Sequence, residues 1–225
     1  MSYVPQLPSA MRGDPESSHA IGEWTEFFYD LIFVAAALVF SAAAEHVHPE
    51  RAIAWIVLVF SATWWIWMTT TACANRFQMN DLLHRITLLV QMLVIVLIAM
   101  ESRVSVGKDS RYLVVEYGLL LLSVSFLYFR GSRRDTPDSS AARTMAAINA
   151  IAAVAFLLSA FGGEGVQLVV GAIGLVIAVA PSVVLWIRLP RFTSESEEHF
   201  VERMGAFTLI LCGESFIEVA TTVSK

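Results

Sequence analysis

The chain has 225 residues, of which 56% are apolar and only 16% are charged. Together with a mean hydropathy of +0.64, this composition excludes an ordinary soluble globular domain and favours a protein that lies within a lipid bilayer. The net charge of -5 is spread over short loops rather than gathered on one basic face, which also excludes a nucleic-acid-binding role.

The chain begins with a polar segment. Residues 1–22 contain three prolines, several serines and acidic residues, so they cannot bury a core. We therefore expect a disordered polar tail over residues 1–22 and one transmembrane helical domain over residues 23–225. No basic segment runs directly into the first apolar run, which also retains Asp30, so this run is predicted to be a permanent membrane helix rather than a signal peptide.

Seven apolar runs of roughly bilayer-spanning length follow the tail. They cover residues 24–44, 52–73, 85–100, 112–129, 144–161, 166–187 and 204–223. Their length and composition predict an all-α fold, a polytopic membrane helix bundle with about seven transmembrane helices.

The distribution of basic residues predicts the orientation, because cytoplasmic loops carry an excess of Lys and Arg. With the N-terminus in the cytoplasm, the inner segments hold Arg12, Arg76, Arg85, Arg130, Arg133, Arg134, Arg143, Arg188, Arg191 and Arg203. The outer segments then hold Arg51, Arg103, Lys108 and Arg111. The excess on the first side favours a cytoplasmic N-terminus.

The first span carries two acids. Glu26 and Asp30 are four residues apart and share one helix face, which continues through the small residues Ala37, Ser41 and Ala44. Small residues let helices approach closely in lipid. We expect Glu26 to be an interfacial carboxylate in contact with water, and Asp30, one turn deeper, to be a buried ion-pair partner or a functional acid.

The segment between the second and third spans supplies further polar residues: Asn75, Asp81 and Arg85. Asp81 and Arg85 have the (i, i+4) spacing of a helical ion pair. Spans one, three and seven enter from the same side, so Asp30, Arg85 and Arg203 are predicted at similar depth. We therefore predict an inner charge network, in which Asp30 lies within salt-bridge reach of Arg203 or Arg85. The predicted members are Asp30, Arg85, Arg203, Asp81 and Asn75.

The last span carries Arg203, Glu214, Glu218 and Thr221 on one stripe. At about 100° per residue, Glu214 lies about 20° round the helix from Arg203, and Glu218 lies about 60° round. Ionisable groups in hydrocarbon cost roughly 3 kcal/mol each, so the stripe is expected to face protein or water. Two interpretations stay open: Glu214, Glu218 and Thr221 line a polar path, or the acids are neutral, hydrogen-bonded groups that help helices pack.

The remaining sequence patterns are weaker indications of function. Both Cys73 and Cys212 lie inside predicted spans and are expected to be buried packing residues. His46 and His48 are too little evidence for a metal site, and we expect no metal and no cofactor. The chain has no P-loop, nucleophile elbow or dinucleotide-binding glycine pattern, so no catalytic residue is predicted.

Three motifs resemble those of one bacterial family. They are EFFYDLIFV over residues 26–34, ANRF over residues 74–77 followed by LLVQM over residues 88–92, and ERMGAFT over residues 202–208 followed by GES over residues 213–215. In this order and spacing they resemble the low temperature requirement A (LtrA) family of multi-pass membrane proteins. The first motif departs from the family pattern by one extra residue, Tyr29, before the acid at Asp30. Family members are usually longer, so the resemblance implies an N-terminal portion of a longer protein.

The resemblance implies location and architecture, namely a multi-pass protein of the bacterial inner (plasma) membrane, but names no reaction. The leading hypothesis is transport of an ion, a proton or a small solute past intramembrane acids. The alternatives are a membrane enzyme or accessory factor that acts on lipid headgroups, and a structural protein needed in the cold. Membrane lipids are expected partners. Whether the chain forms a homo-oligomer is left open by the sequence.

Overall fold

The computed structural model describes residues 15–44, 49–77, 79, 81–105, 111–134, 136–188 and 194–223. All regular structure in these residues is α-helical. The helices are α1 (Pro15–Ala44), α2 (Pro49–Phe77), α3 (Leu82–Ser105), α4 (Arg111–Ser132), α5 (Ser139–Ser159), α6 (Glu164–Arg188) and α7 (Ser194–Val223). The predicted all-α bundle is confirmed.

The helices correspond one to one with the seven predicted apolar runs. In the part of the chain that the structure describes, α1 to α6 each contain a segment long and apolar enough to cross a membrane. That α7 is a seventh span, and that the N-terminus is cytoplasmic, stay predictions. Helix α1 begins at Pro15 rather than at the start of the apolar run; the rest of the expected tail, residues 1–14, lies outside the described residues. His46 and His48 also lie outside them.

Four helices form the centre of the bundle. Helix α1 packs against α2 and α3, and α4 packs against the same two helices from the other side. The four therefore close a ring in the order α1, α2, α4, α3. Helix α5 packs on α4, and α6 packs mainly on α5. Helix α7 packs against both α1 and α2, so it lies in the groove between them.

Each helix of the ring contributes one polar side chain to a network at its centre. The Tyr29 hydroxyl donates to Gln91 Oε1 at 2.5 Å, and Gln91 Nε2 donates to Ser123 Oγ at 2.7 Å. The Thr70 hydroxyl lies 3.4 Å from Gln91 Oε1. Tyr29, Thr70 and Gln91 are buried, so these bonds satisfy polar groups that lipid and apolar packing would leave without partners.

The contact between α4 and α5 depends on small residues. A Cβ atom added to Gly118 of α4 would lie 2.7 Å from Leu157 Cγ of α5. Helix α5 presents buried alanines, including Ala142, Ala146 and Ala153, on its packed face. These residues allow the close approach that helices use in lipid, where water does not drive them together.

Ion pairs and hydrogen bonds tie the ends of α2, α3, α4 and α5 together. Arg130 of α4 pairs with Asp81, which also caps α3 by accepting a hydrogen bond from the His84 amide at 3.2 Å. Arg76 of α2 pairs with Asp138, just before α5, at 2.8 Å. One end of the bundle is therefore held by polar contacts between helices that are otherwise apolar.

The two cysteines differ in their surroundings. Cys73 is buried in the core, as expected. The expectation for Cys212 is wrong, because its side chain is exposed on α7. The groove between α1 and α2 covers only one side of α7, and Cys212 points away from it.

Candidate functional site

The candidate site begins with the two acids of α1. Glu26 and Asp30 are separated by one helical turn, so both project toward the same side of the helix. Asp30 is only 5% exposed. An isolated buried carboxylate would be strongly destabilising, so Asp30 requires a charged or hydrogen-bonding partner.

Arg203 of α7 supplies that partner. Its Nη2 lies 2.8 Å from Asp30 Oδ1 and its Nε lies 3.1 Å from Asp30 Oδ2, which is a two-pronged contact between guanidinium and carboxylate. Its Nη1 lies 2.8 Å from Glu26 Oε2. One buried arginine thus binds both acids of α1, and the predicted ion pair between Asp30 and Arg203 is present.

Trp67 of α2 completes the cluster. Its indole Nε1 donates to Asp30 Oδ1 at 2.7 Å. The Trp67 ring also stacks on Phe207 of α7, with ring centroids 4.1 Å apart and an interplanar angle of 21°. Three helices therefore meet at Asp30: α1 provides the acid, α2 a neutral donor and α7 the cation.

The hydrogen bond from Trp67 to Asp30 was not expected from the sequence. The second span holds Trp55, Trp64, Trp65 and Trp67, and nothing in its sequence distinguishes the one that faces Asp30. A buried indole N–H usually finds an acceptor, which is the one general signal available.

The two acids of the cluster differ in exposure. Glu26, Asp30 and Arg203 sum to one net negative charge if all are ionised. The Glu26 side chain remains 24% exposed, whereas that of Asp30 is 7% exposed. The excess charge thus lies at the more exposed acid, while the deeper acid is paired with Arg203. That Glu26 contacts water at the membrane surface stays a prediction.

Asp81 and Arg85, two other predicted members of the inner charge network, lie at the start of α3. Arg85 is half-buried on α3, while the ion pairs described for Arg203 go to Asp30 and Glu26. The ion-pair partner described for Asp81 is Arg130, on a helix that sequence spacing did not suggest.

Asp81 lies outside the membrane-spanning segments, and opposing effects act on the pKa of its carboxyl. Partial burial raises the pKa of its carboxyl, but the hydrogen bond and charge of Arg130, with the amide of His84, outweigh this and hold the pKa below the ordinary aspartate value. Asp81 is therefore a cap and an ion-pair partner that is ionised at neutral pH.

Several buried polar atoms of α2 and α3 lack a hydrogen-bond partner within the described part of the chain. Thr71 Oγ1 and Asn75 Nδ2 belong to this group. They follow Trp67 by four and eight residues, so they lie one and two turns along the same side of α2. Both ring nitrogens of the buried His84 on α3 are also unsatisfied.

The acids further along α7 are separate from this cluster. Glu214 is half-buried and follows Arg203 by eleven residues, about 16 Å along the helix. The side chains of Glu218 and Thr221 lie outside the described residues. The polar path through Glu214, Glu218 and Thr221 thus stays a prediction. Among the described residues, no group of three or more His, Cys, Asp or Glu side chains could hold a metal ion.

Comparison with known protein families identifies the family of this chain. The model of the bacterial low temperature requirement A protein (LtrA) matches residues 22–225, nearly the whole chain. The chain belongs to the LtrA family. All the residues of the buried cluster fall inside this match.

The LtrA-family chain is also similar to the uncharacterized protein RA0937 of Rhizobium meliloti (strain 1021). The two are 25% identical over 203 residues, which cover 86% of this chain and 49% of the relative. The match thus spans about half the length of that protein. No solved structure matches the chain.

Proposed function

We propose that this LtrA-family protein transports an ion, a proton or a small solute across the bacterial inner (plasma) membrane. The observation that carries the proposal is the ion-paired cluster of Arg203, Asp30 and Glu26, buried where α7 meets α1. The proposed polar path runs from this cluster along α7 toward Glu214, Glu218 and Thr221.

The first argument is energetic. Bringing Asp30 and Arg203 out of water costs free energy that their mutual attraction only partly returns, and a well-packed apolar pair would often be as stable. Charges inside membrane helices usually persist because they face an ion or substrate path. The burial of both side chains therefore favours a functional role for the pair.

The second argument concerns hydrogen-bonding capacity. Thr71 Oγ1 and Asn75 Nδ2 are buried on the side of α2 that also carries Trp67, without described hydrogen-bond partners. Buried polar groups in native proteins are generally bonded, so those without protein partners indicate where water or a polar solute binds. Thr71 and Asn75 would thus supply hydrogen-bonding groups to a transport path on this side of α2.

The third argument concerns movement. The main contacts of α7 within the described structure are with α1 and α2, and the ion pair and the stack of Phe207 on Trp67 lie in this contact. Separation of Arg203 from Asp30 would loosen α7 from the ring. In our proposal the pair is a gate at the inner end of the path, and Glu214 is the acid that binds the transported ion or proton.

The test is flux in liposomes that contain the purified protein, with protons, monovalent cations and small anions each supplied as gradients. We expect the native chain to conduct at least one of them and Glu214→Gln to abolish that flux. The matched control is Glu202→Gln, which removes the same charge from an exposed position on the same helix and should leave flux intact.

Two outcomes would contradict the proposal. Equal flux through the native chain and Glu214→Gln would remove the role assigned to Glu214. No flux of any tested species through folded native protein would exclude transport of those species and leave a structural role or action on lipid headgroups.

A further inference from the structure

An exposed apolar stripe runs along α4 on the side opposite α2. It consists of Leu119, Leu122, Phe126 and Phe129, whose spacing of three, four and three residues places them on one face. Each is between 39% and 47% exposed. Within a membrane such a stripe contacts acyl chains.

Two arginines lie at the end of this stripe. The Arg133 guanidinium lies over the Phe129 ring, 4.7 Å from its centroid, and Arg130 lies 5.9 Å from the centroid of Phe126. Stacking on the exposed aromatic rings holds both cations beside the apolar stripe rather than away from it. Arg133 is exposed, and no described carboxylate pairs with it.

Helix α3 forms the neighbouring wall. It packs against α4 and is joined to it by the ion pair of Arg130 with Asp81, at the first turn of α3. Leu83 and Val90 of α3 are exposed and seven residues apart, so they form an apolar strip on one face of α3. Arg130 and Arg133 thus lie at the end of the bundle, where the exposed apolar stripe of α4 ends.

The ends of α2, α3, α4 and α5 and their connections carry a positive net charge. The sequence places six arginines and three aspartates there, a sum of +3. They are Arg76, Arg85, Arg130, Arg133, Arg134, Arg143, Asp81, Asp135 and Asp138. Asp81 and Asp138 are already paired with Arg130 and Arg76, and Arg133 is exposed, so this surface favours an anionic ligand.

We propose that this surface binds an anionic phospholipid, with its phosphate on Arg133 and Arg130 and one acyl chain along Leu122, Phe126 and Phe129. Arginine suits phosphate because its planar guanidinium presents several N–H donors. An anionic headgroup adds attraction to the positively charged ends of α2, α3, α4 and α5, and a zwitterionic headgroup lacks this attraction. This site is separate from the cluster at Arg203 and does not depend on transport.

The test measures lipid binding to the purified protein in detergent by native mass spectrometry, with the melting temperature as a second measurement. The probes are phosphatidylglycerol, phosphatidylcholine and soluble glycerol phosphate. We expect phosphatidylglycerol to bind and to raise the melting temperature, and the other two to do neither. Arg133→Gln should weaken phosphatidylglycerol binding roughly five- to tenfold.

Arg143→Gln is the matched control. Arg143 is exposed at the same end of the bundle but on α5, with its Nε 3.4 Å from the Ser139 carbonyl. Its loss should leave binding almost unchanged, and both variants should melt like the native chain without lipid. An equal loss in the two variants would reduce the effect to general charge. Equal binding of phosphatidylcholine, equal binding of glycerol phosphate, or native binding by Arg133→Gln would each overturn the proposed site.

Discussion

Arg203 is the residue on which the buried cluster depends, because its guanidinium binds both acids of α1 at once. A buried ion pair contributes little net stability, but removal of one partner leaves the other charge buried and uncompensated. Trp67 offers Asp30 one neutral hydrogen bond, which cannot replace the positive charge. The two ends of α7 therefore differ: Arg203 is tied into the core, whereas no ion pair is described for Glu214.

This difference predicts the relative stability of two variants. Arg203→Ala should lower the free energy of unfolding by about 3–5 kcal/mol, because Asp30 loses its cation. Glu214→Gln should have a smaller effect, since glutamine has a similar size and no described ion pair is broken. Thermal melting in detergent measures both, with exposed Arg143→Ala as a control for arginine loss. A larger effect from Glu214→Gln would show that its carboxylate is ionised and paired.

Asp81 predicts a dependence of stability on pH. Its pKa is lower in the folded chain than in the unfolded chain, so folding is favoured by its ionised form. That contribution is fully present above the ordinary aspartate pKa and is lost as the pH falls through the lower pKa of the folded state. The melting temperature of the native chain should therefore approach that of Asp81→Asn as acid is added.

The comparison is made by melting both proteins from neutral pH downward. Asparagine also caps helices well, so the variant retains the cap of α3 and loses mainly the ion pair with Arg130. A constant difference between the two curves across the acidic range would show that ionisation of Asp81 does not stabilise the fold.

At the level of the helix, glycine has different effects on packing at two positions. Gly118 faces Leu157 across the contact between α4 and α5, with the Ala153 carbonyl oxygen also within 3.3 Å of an added Cβ. Gly205 of α7 is exposed, and nothing lies within 4 Å of its added Cβ. The contact between α4 and α5 thus needs a glycine, whereas α7 at Gly205 does not.

Alanine substitution tests this contrast. Gly118→Ala should lower the free energy of unfolding by about 1–3 kcal/mol, because the added methyl group displaces Leu157 or separates the helices. Gly205→Ala should leave it unchanged or raise it by up to about 1 kcal/mol, since alanine favours helix more than glycine does. Unfolding of both variants in mixed micelles measures the difference. Similar results at the two positions would mean that α4 and α5 are not as closely packed as described.

At the level of the whole molecule, the chain builds a four-helix ring and then returns α7 to the groove between α1 and α2. Residues 173 positions apart in sequence, Asp30 and Arg203, form the contact that fixes this return. Helices in a chain of seven spans alternate in direction, so α1 and α7 are expected to run parallel. Each helix then continues past the ion pair on the same side.

This arrangement predicts a disulfide crosslink. Ala37 and Ile210 each follow a member of the ion pair by seven residues, about 10 Å along parallel helices. Paired cysteines at these positions, in a background lacking Cys73 and Cys212, should crosslink under mild oxidation. A cysteine at the 75% exposed Leu209, paired with the same partner at Ala37, should not. Crosslinking only at Leu209 would mean that α7 is rotated in its groove, and the proposed polar path would fall.

Apolar periodicity and length determined the number and order of the helices, because a chain in lipid must satisfy its backbone hydrogen bonds within each segment. The cost of unpaired charge also determined that Asp30 needs a cation at its own depth. This reasoning left Arg203 and Arg85 as candidates, and the structure pairs Asp30 with Arg203. The ends of the helices were less predictable, since polar residues such as Ser194 to Glu198 continue α7 beyond its apolar run.

Only the tertiary structure decided the remaining partners. Asp81 is four residues from Arg85 yet pairs with Arg130, and Asp30 receives a hydrogen bond from Trp67 rather than from a neighbouring tryptophan. Sequence spacing describes one helix at a time, whereas these contacts depend on how helices rotate and which ones are adjacent. The central ring arises in the same way: Gln91 reaches Tyr29, Thr70 and Ser123 because α1, α2 and α4 surround its side of the bundle.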